Sequence, residues 1–189
     1  MNPVTHYLTG WLIANTTEGL IRRDRALVTL AGVAPDLDGL GIVAEKLTLG
    51  SDRPLYWWSS YHHTLGHNLG FGLLVVLAYL LLATRRRLAA LLAVASFHAH
   101  LLGDILGARG PDGEQWPIPY LLPFSRAWDL SWDGQWALNA WPNFALTLAA
   151  LALTFFLAWK RGYSPLEMVS TSADKAFVDT LRRRFPNRT

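Results

Sequence analysis

The feature that most constrains this chain is repeated along it: long apolar runs, each closed by a cluster of basic residues. Leu69 to Ala83 is followed by Thr84 and Arg85-Arg86-Arg87, and Asn143 to Trp159, almost purely Ala, Leu, Phe and Thr, ends in Lys160-Arg161. A helix of about 17 residues covers roughly 25 Å, which crosses a bilayer if flanking arginines snorkel to the interface. Between these runs, Leu88 to Leu106 has the right length but carries His98, His100 and Asp104. A central Asp costs on the order of 2.5–3.5 kcal/mol in lipid, so these three side chains must face protein or water. Val4 to Ile21 predicts a further helix, ending in Arg22-Arg23-Asp24-Arg25 and lacking the charged start and cleavage site of a signal peptide. Ala26 to Ala34, stopped by Pro35, is too short to cross alone and predicts a partial span.

Composition supports a bilayer as the solvent: 51% of the residues are apolar, 16% are charged, and nine of the 189 are Trp. That length suits one membrane-embedded domain, residues 1–162, with a basic tail over 163–189. With no cysteine in the chain, disulfides and thiolate zinc sites are excluded, and any metal must be held by imidazole nitrogen and carboxylate oxygen. The net charge of +3 is a property of the tail, because residues 160–189 hold seven Lys/Arg against three Asp/Glu and the remainder ten against eleven. Basic residues in short runs at the ends of apolar segments speak for membrane topology, and no nucleic-acid partner is expected.

Gly107 to Pro142 holds five prolines, four glycines and five of the tryptophans, the pattern of a structured loop at a membrane interface, and Trp57 and Trp58 are expected at the same level. Ser164-Pro165-Leu166-Glu167 reads as a capping box and predicts a short helix start. Ala176, Phe177, Val178 and Leu181 then recur at helical spacing before Arg182-Arg183-Arg184, an amphipathic end suited to an anionic membrane surface. The fold class expected is therefore all-α: a polytopic membrane helical bundle with a Trp/Pro/Gly-rich outward loop and a short cytoplasmic C-terminal helix. The basic clusters alternate with the ends that carry His and Asp, so one topology puts all of them in the cytoplasm and every candidate ligand outside.

All six histidines lie in two clusters or beside the N-terminus. In His100-Leu101-Leu102-Gly103-Asp104 the i, i+4 spacing sets imidazole and carboxylate on one helix face, whereas His98 points elsewhere; a buried hydrogen-bonded His–Asp pair is the bland alternative. Across Tyr61-His62-His63-Thr64-Leu65-Gly66-His67, His63 and His67 share a face if the helix starts early, and His62 and His67 converge if the segment is a turn. Asp36 and Asp38 in Pro35-Asp36-Leu37-Asp38 repel one another unless a cation separates them. His6 beside Thr5 is a further candidate, while Arg109 and Arg126 in the outward loop are candidates for substrate phosphate, their bland reading being solvated loop charges.

Together, Thr5-His6, Pro35-Asp36-Leu37-Asp38, His62 through His67 and His100 through Asp104 resemble the motifs of the YdjM-type inner-membrane-associated metal-dependent hydrolase family. The resemblance covers roughly residues 1–125 and departs from the family pattern where His63-Thr64 stands for Arg-Gly and Gly66 for Thr. It implies a membrane-bound hydrolase of the plasma membrane with His6, Asp36, Asp38, His62, His67, His100 and Asp104 as metal ligands and His63 or His98 as additional ones. A more distant likeness to zinc-dependent phospholipase C implies phosphoesters, such as a lipid or lipid-linked headgroup, as substrates. Independently, mixed imidazole and carboxylate donors suit zinc first, then manganese or iron, and the donor number allows one to three ions. Asp38 or Asp36 would bridge ions or act as general base. Two rival classes remain open from the residues: an ion or solute transporter, since intramembrane His and Asp also mark ion pathways, and a scaffold or regulatory protein with a closed structural ion.

Overall fold

The structure is a computed structural model, and it describes residues 1–186. The chain is all-α, and among the described residues no β-strand forms; the last three residues of the expected tail, 187–189, lie outside them. Helix α1 (Pro3–Ala14) opens on Asn2, whose side chain accepts the Thr5 N–H, with Pro at the first position. It stops short of the Ile21 boundary expected from hydropathy. Thr16 and Thr17 are β-branched, and Gly19 adopts φ +86°, which turns the chain back. The basic cluster thus opens α2 (Arg22–Ala31) instead of closing α1.

A 3-10 turn over Ala34–Leu40 leads into α3 (Gly41–Thr48) and α4 (Trp57–Tyr61). Asn68 then caps α5 (Leu69–Leu82) by accepting the Phe71 N–H, and α6 (Arg86–Gly107) follows after a short turn. Loop 108–140 is tied by two isolated bridges, Arg109 with Ala137 and Ile118 with Leu130. It precedes α7 (Trp141–Arg161) and α8 (Thr171–Arg184). Helices α6 and α7 are long and apolar enough to cross a membrane, and α2 with the segment Ala34–Thr48, bent by 57°, makes a third candidate. At 14 residues α5 is shorter than the run that announced it.

Helix α6 is the hub, packing against α1, α2 and α5. Its buried face is built of small residues, Ala89, Ala90, Ala93, Ser96 and Gly103 among them, which let helix backbones approach closely. The approach is tightest where α1, α2 and α6 meet: a Cβ on Gly10 would lie 2.7 Å from the Thr29 carbonyl oxygen, and one on Gly32 2.7 Å from Ser96 Oγ. Two apolar clusters, Val28 with Ala14, Leu20, Ala83 and Ala89, and Ala31 with Tyr79 and Ala93, fill the bundle between its two polar ends. Leu148 and Phe156 of α7 and Leu74 and Leu81 of α5 are exposed, as side chains facing lipid would be.

The basic end is closed by buried polar groups. Arg25 grips Glu167 with two hydrogen bonds of 2.7 and 2.6 Å, donates a third to the Leu20 carbonyl, and lies 3.8 Å from the centre of the Tyr163 ring. Asp24 accepts the backbone N–H groups of Thr84 and Arg85, both at 2.8 Å. This explains why the helix that Ser164 caps is no more than a short turn. Glu167 is drawn to Arg25, Asp174 takes both the N–H and hydroxyl of Ser164, and Pro165–Met168 forms only a 3-10 turn. Helix α8 starts seven residues after Ser164, with Ser170 as its cap.

Candidate metal centre

At the other end, residues from three separated stretches converge. Asp36, His67, His100 and Asp104 each offer a donor atom, and all four atoms lie within 4.8 Å of one another. His67 Nε2 is 3.1 Å from His100 Nε2 and 3.3 Å from Asp104 Oδ2, while His100 Nε2 is 2.9 Å from Asp104 Oδ2 and 3.7 Å from Asp36 Oδ1. Donors 2.0–2.2 Å from a tetrahedral ion stand about 3.3–3.6 Å apart, so these separations fit one such ion.

Second contacts fix which nitrogens face inward. His100 Nδ1 lies 2.8 Å from the Gly32 carbonyl and donates to it, and His67 Nδ1 donates to Asp38 Oδ2 at 3.1 Å. Each ring therefore turns the lone pair of its Nε2 toward the other and toward two carboxylates. Asp104 Oδ2 and Asp36 Oδ2 are buried without a hydrogen-bond partner. So many acceptors facing one another favour a cation among them. In the metal-free chain a proton supplies it: burial disfavours charge on His67, but Asp104 and Asp38 outweigh that and raise its pKa to about 9.

Asp38 stands on the far side of the His67 ring. Its Oδ1 takes His62 Nδ1 at 2.8 Å, and its Oδ2 takes the Gly66 N–H at 2.9 Å besides His67. Both oxygens are thus committed to holding the histidine segment, and Asp36 is the carboxylate that joins the donor set. Gly66 is required there, because a Cβ would fall 2.1 Å from the Pro35 carbonyl oxygen. Residues 62–68 form a turn, with α5 starting only at Leu69, so His62 and His67 converge, and they do so on Asp38.

The remaining histidines take distinct places. His6 stacks on His100 with ring centres 3.6 Å apart and donates through Nε2 to Asp104 Oδ1 at 3.1 Å, an oxygen also met by the Met1 amino group. His63 adopts φ 63°, a left-handed conformation costly for a side chain of this size, and stacks on His67 at 4.4 Å with its Nδ1 unpartnered. Burial pushes its pKa down to about 3. A cavity of about 300 Å³ opens onto the centre, lined by Asp36, His62, His63 and Asp104 and walled by Trp58 and Trp116. Trp58 stacks on His62 at 3.8 Å, and Trp116 meets the His63 ring edge-on at 4.7 Å.

A family model described as YdjM inner membrane protein matches residues 1–173. The chain belongs to the YdjM family. Family and apolar helices together make it a membrane protein. No curated protein and no solved structure matches the chain.

Other residues of this YdjM chain singled out by sequence lie off the centre. His98 is exposed, donates to the Val94 carbonyl and accepts from the Tyr120 hydroxyl, both at 2.8 Å, and so ties α6 to the loop. Arg109 lines a different cavity and donates to the Asp133 carbonyl at 2.8 Å. Arg126 lies on a groove along α5. Sequence reasoning missed the Gly32 carbonyl behind His100, which no side-chain pattern announces, and Gln135, whose amide donates to the Asp104 carbonyl at 2.8 Å and pins the loop over the centre. The tryptophan walls were visible only as interfacial candidates.

Proposed function

We propose that the protein is a membrane-bound metal-dependent hydrolase acting on a phosphoester, such as a lipid or lipid-linked headgroup, with zinc as the best-suited ion and manganese or iron as alternatives. The supporting observation is the inward-facing set of His67 Nε2, His100 Nε2, Asp104 Oδ2 and Asp36, whose spacing fits one ion and whose tautomers are fixed from behind. A divalent ion there would polarise a phosphoryl oxygen and bring a bound water to a pKa near 7. His67, His100, Asp104 and the Oδ1 of Asp36 would hold such an ion, Asp38 orients His67, and the unpartnered Oδ2 of Asp36, on the cavity wall, would be placed to accept a proton. Trp58 and Trp116 line the same cavity and would give a substrate an apolar wall.

A structural ion is the second reading, favoured by the fact that four protein donors already complete a tetrahedron. The Asp36 side chain, 19% exposed and on the cavity wall, leaves that tetrahedron open on one side. Metal-replete protein in lipid is expected to release headgroup or phosphate from a panel of phospholipids, and Asp36→Asn to abolish release while keeping the ion. Intact phospho- and carboxyl esters throughout would leave the scaffold. A transporter is disfavoured by the apolar packing between the two ends of the bundle.

We further propose that the basic end lies in the cytoplasm and the centre outside, a reading supported by the distribution of arginines. Reporter fusions at Arg86 and Pro111 are expected to report opposite compartments; the same compartment for both would defeat this orientation.

A further inference from the structure

Outside the metal centre, loop 108–140 is fastened to the start of α5. The Leu69 N–H donates to the Tyr120 carbonyl at 2.7 Å and the Gly70 N–H to the Leu122 carbonyl at 2.9 Å. The loop then runs beside α5 and leaves a groove of about 800 Å³, walled by Leu65, Phe71, Leu74 and Phe124, with Arg126 on its edge. A second groove of about 550 Å³ along α3 has Tyr61 and Leu65 in common with this apolar trough.

Three observations say what occupies it. The trough is continuous with the exposed leucines of α5, Leu73 and Leu74 belonging both to the groove and to that face. Arg126 is exposed and, among the described residues, makes no ion pair or side-chain hydrogen bond, so its guanidinium is available to an anion from outside the chain. Trp128, two residues on, is 55% exposed, as befits a side chain at headgroup depth. A ligand with an anionic head and an apolar body satisfies all three. We propose that this trough binds an anionic phospholipid, its phosphate on Arg126 and its acyl chains along Phe71, Leu74 and Leu65. The site is separate from the metal centre and does not depend on hydrolysis there.

The test reads binding rather than turnover. Full-length protein, delipidated in detergent, is titrated with phosphatidylglycerol, phosphatidylcholine or glycerol 3-phosphate and bound molecules are counted by native mass spectrometry. One phosphatidylglycerol is expected to bind about tenfold more tightly than phosphatidylcholine, whose phosphate is the same but whose quaternary ammonium cancels the headgroup charge and repels Arg126. Arg126→Gln should erase that preference, and Leu74→Trp, which fills the groove, should weaken both lipids. Both side chains are exposed, so neither change disturbs the core. Equal binding of the two lipids by the wild type, or a preference that survives Arg126→Gln, would overturn the proposal. So would glycerol 3-phosphate binding as tightly as the lipid, since the apolar trough would then contribute nothing.

Discussion

The two polar ends of the bundle solve the same problem in opposite ways. At the basic end every buried charge meets its complement: Arg25 is matched by both oxygens of Glu167, and both oxygens of Asp24 are filled by backbone N–H groups. At the histidine end acceptors face acceptors, with two imidazole lone pairs 3.1 Å apart beside carboxylate oxygens that have no partner. Asp24 and Glu167 at one end are as deeply buried as His67, His100 and Asp104 at the other, so burial does not separate structural charge from functional charge. The balance of donors and acceptors does: a closed balance is architecture, and a surplus of acceptors is the arrangement that the proposed metal site would complete.

The largest effect should come from removing acceptors. His100→Ala combined with Asp104→Ala is expected to weaken metal binding more than about a hundredfold, read by elemental analysis of protein purified without chelator, while the helical content persists. Unchanged metal content would reduce the pair to a structural hydrogen bond and collapse the contrast.

At the basic end the loss should fall on stability. Arg25→Ala strands Glu167 and is expected to cost about 3–5 kcal/mol, whereas replacing the pair together by Met and Leu should cost far less. Metal content should be unaffected in both. Thermal unfolding in one detergent, compared across the two variants, measures this; equal destabilisation would mean that the ion pair is not what closes that end.

A smaller effect distinguishes the residue behind the ligand from the ligand itself. Asp38→Asn leaves all four donors in place and is expected to weaken metal binding by about 10–100-fold. It should also change proton release. With a pKa of about 9, His67 is protonated at pH 7 before metal enters, and the ion needs its neutral form, so uptake at pH 7 should release a proton and weaken as pH falls. Calorimetry in buffers of different ionisation enthalpy reads this proton, and Asp38→Asn should diminish it because the carboxylate that holds the charge is gone. Identical proton release in both proteins would remove Asp38 from this role.

What the sequence revealed follows from the range of the interactions involved. His100 and Asp104 were legible because one helical turn relates them, and α6 and α7 because apolar runs and basic ends mark helices directly. The division of labour between Asp36 and Asp38 was not, since it depends on a turn that brings the Gly66 N–H and His67 to one carboxylate from 28 and 29 residues away. Glu167 was misread locally for the same reason. Its spacing from Ser164 matches a capping box, but Arg25, 142 residues distant, is the stronger partner. The early end of α1 rests on Thr16, Thr17 and Gly19, which hydropathy alone passes over.

One consequence of the centre's construction concerns assembly. Its donors come from the turn after α2, the turn before α5 and the last third of α6, so the outermost two are about seventy residues apart along the chain, and apart from His100 and Asp104, one helical turn from each other, none has a ligand neighbour until the helices have docked. An ion held there acts as a rivet across three segments. If the proposed ion is held there, a cell short of it would have a slack bundle with its turns open to proteases, and the amount of protein in the membrane would follow the supply of the ion.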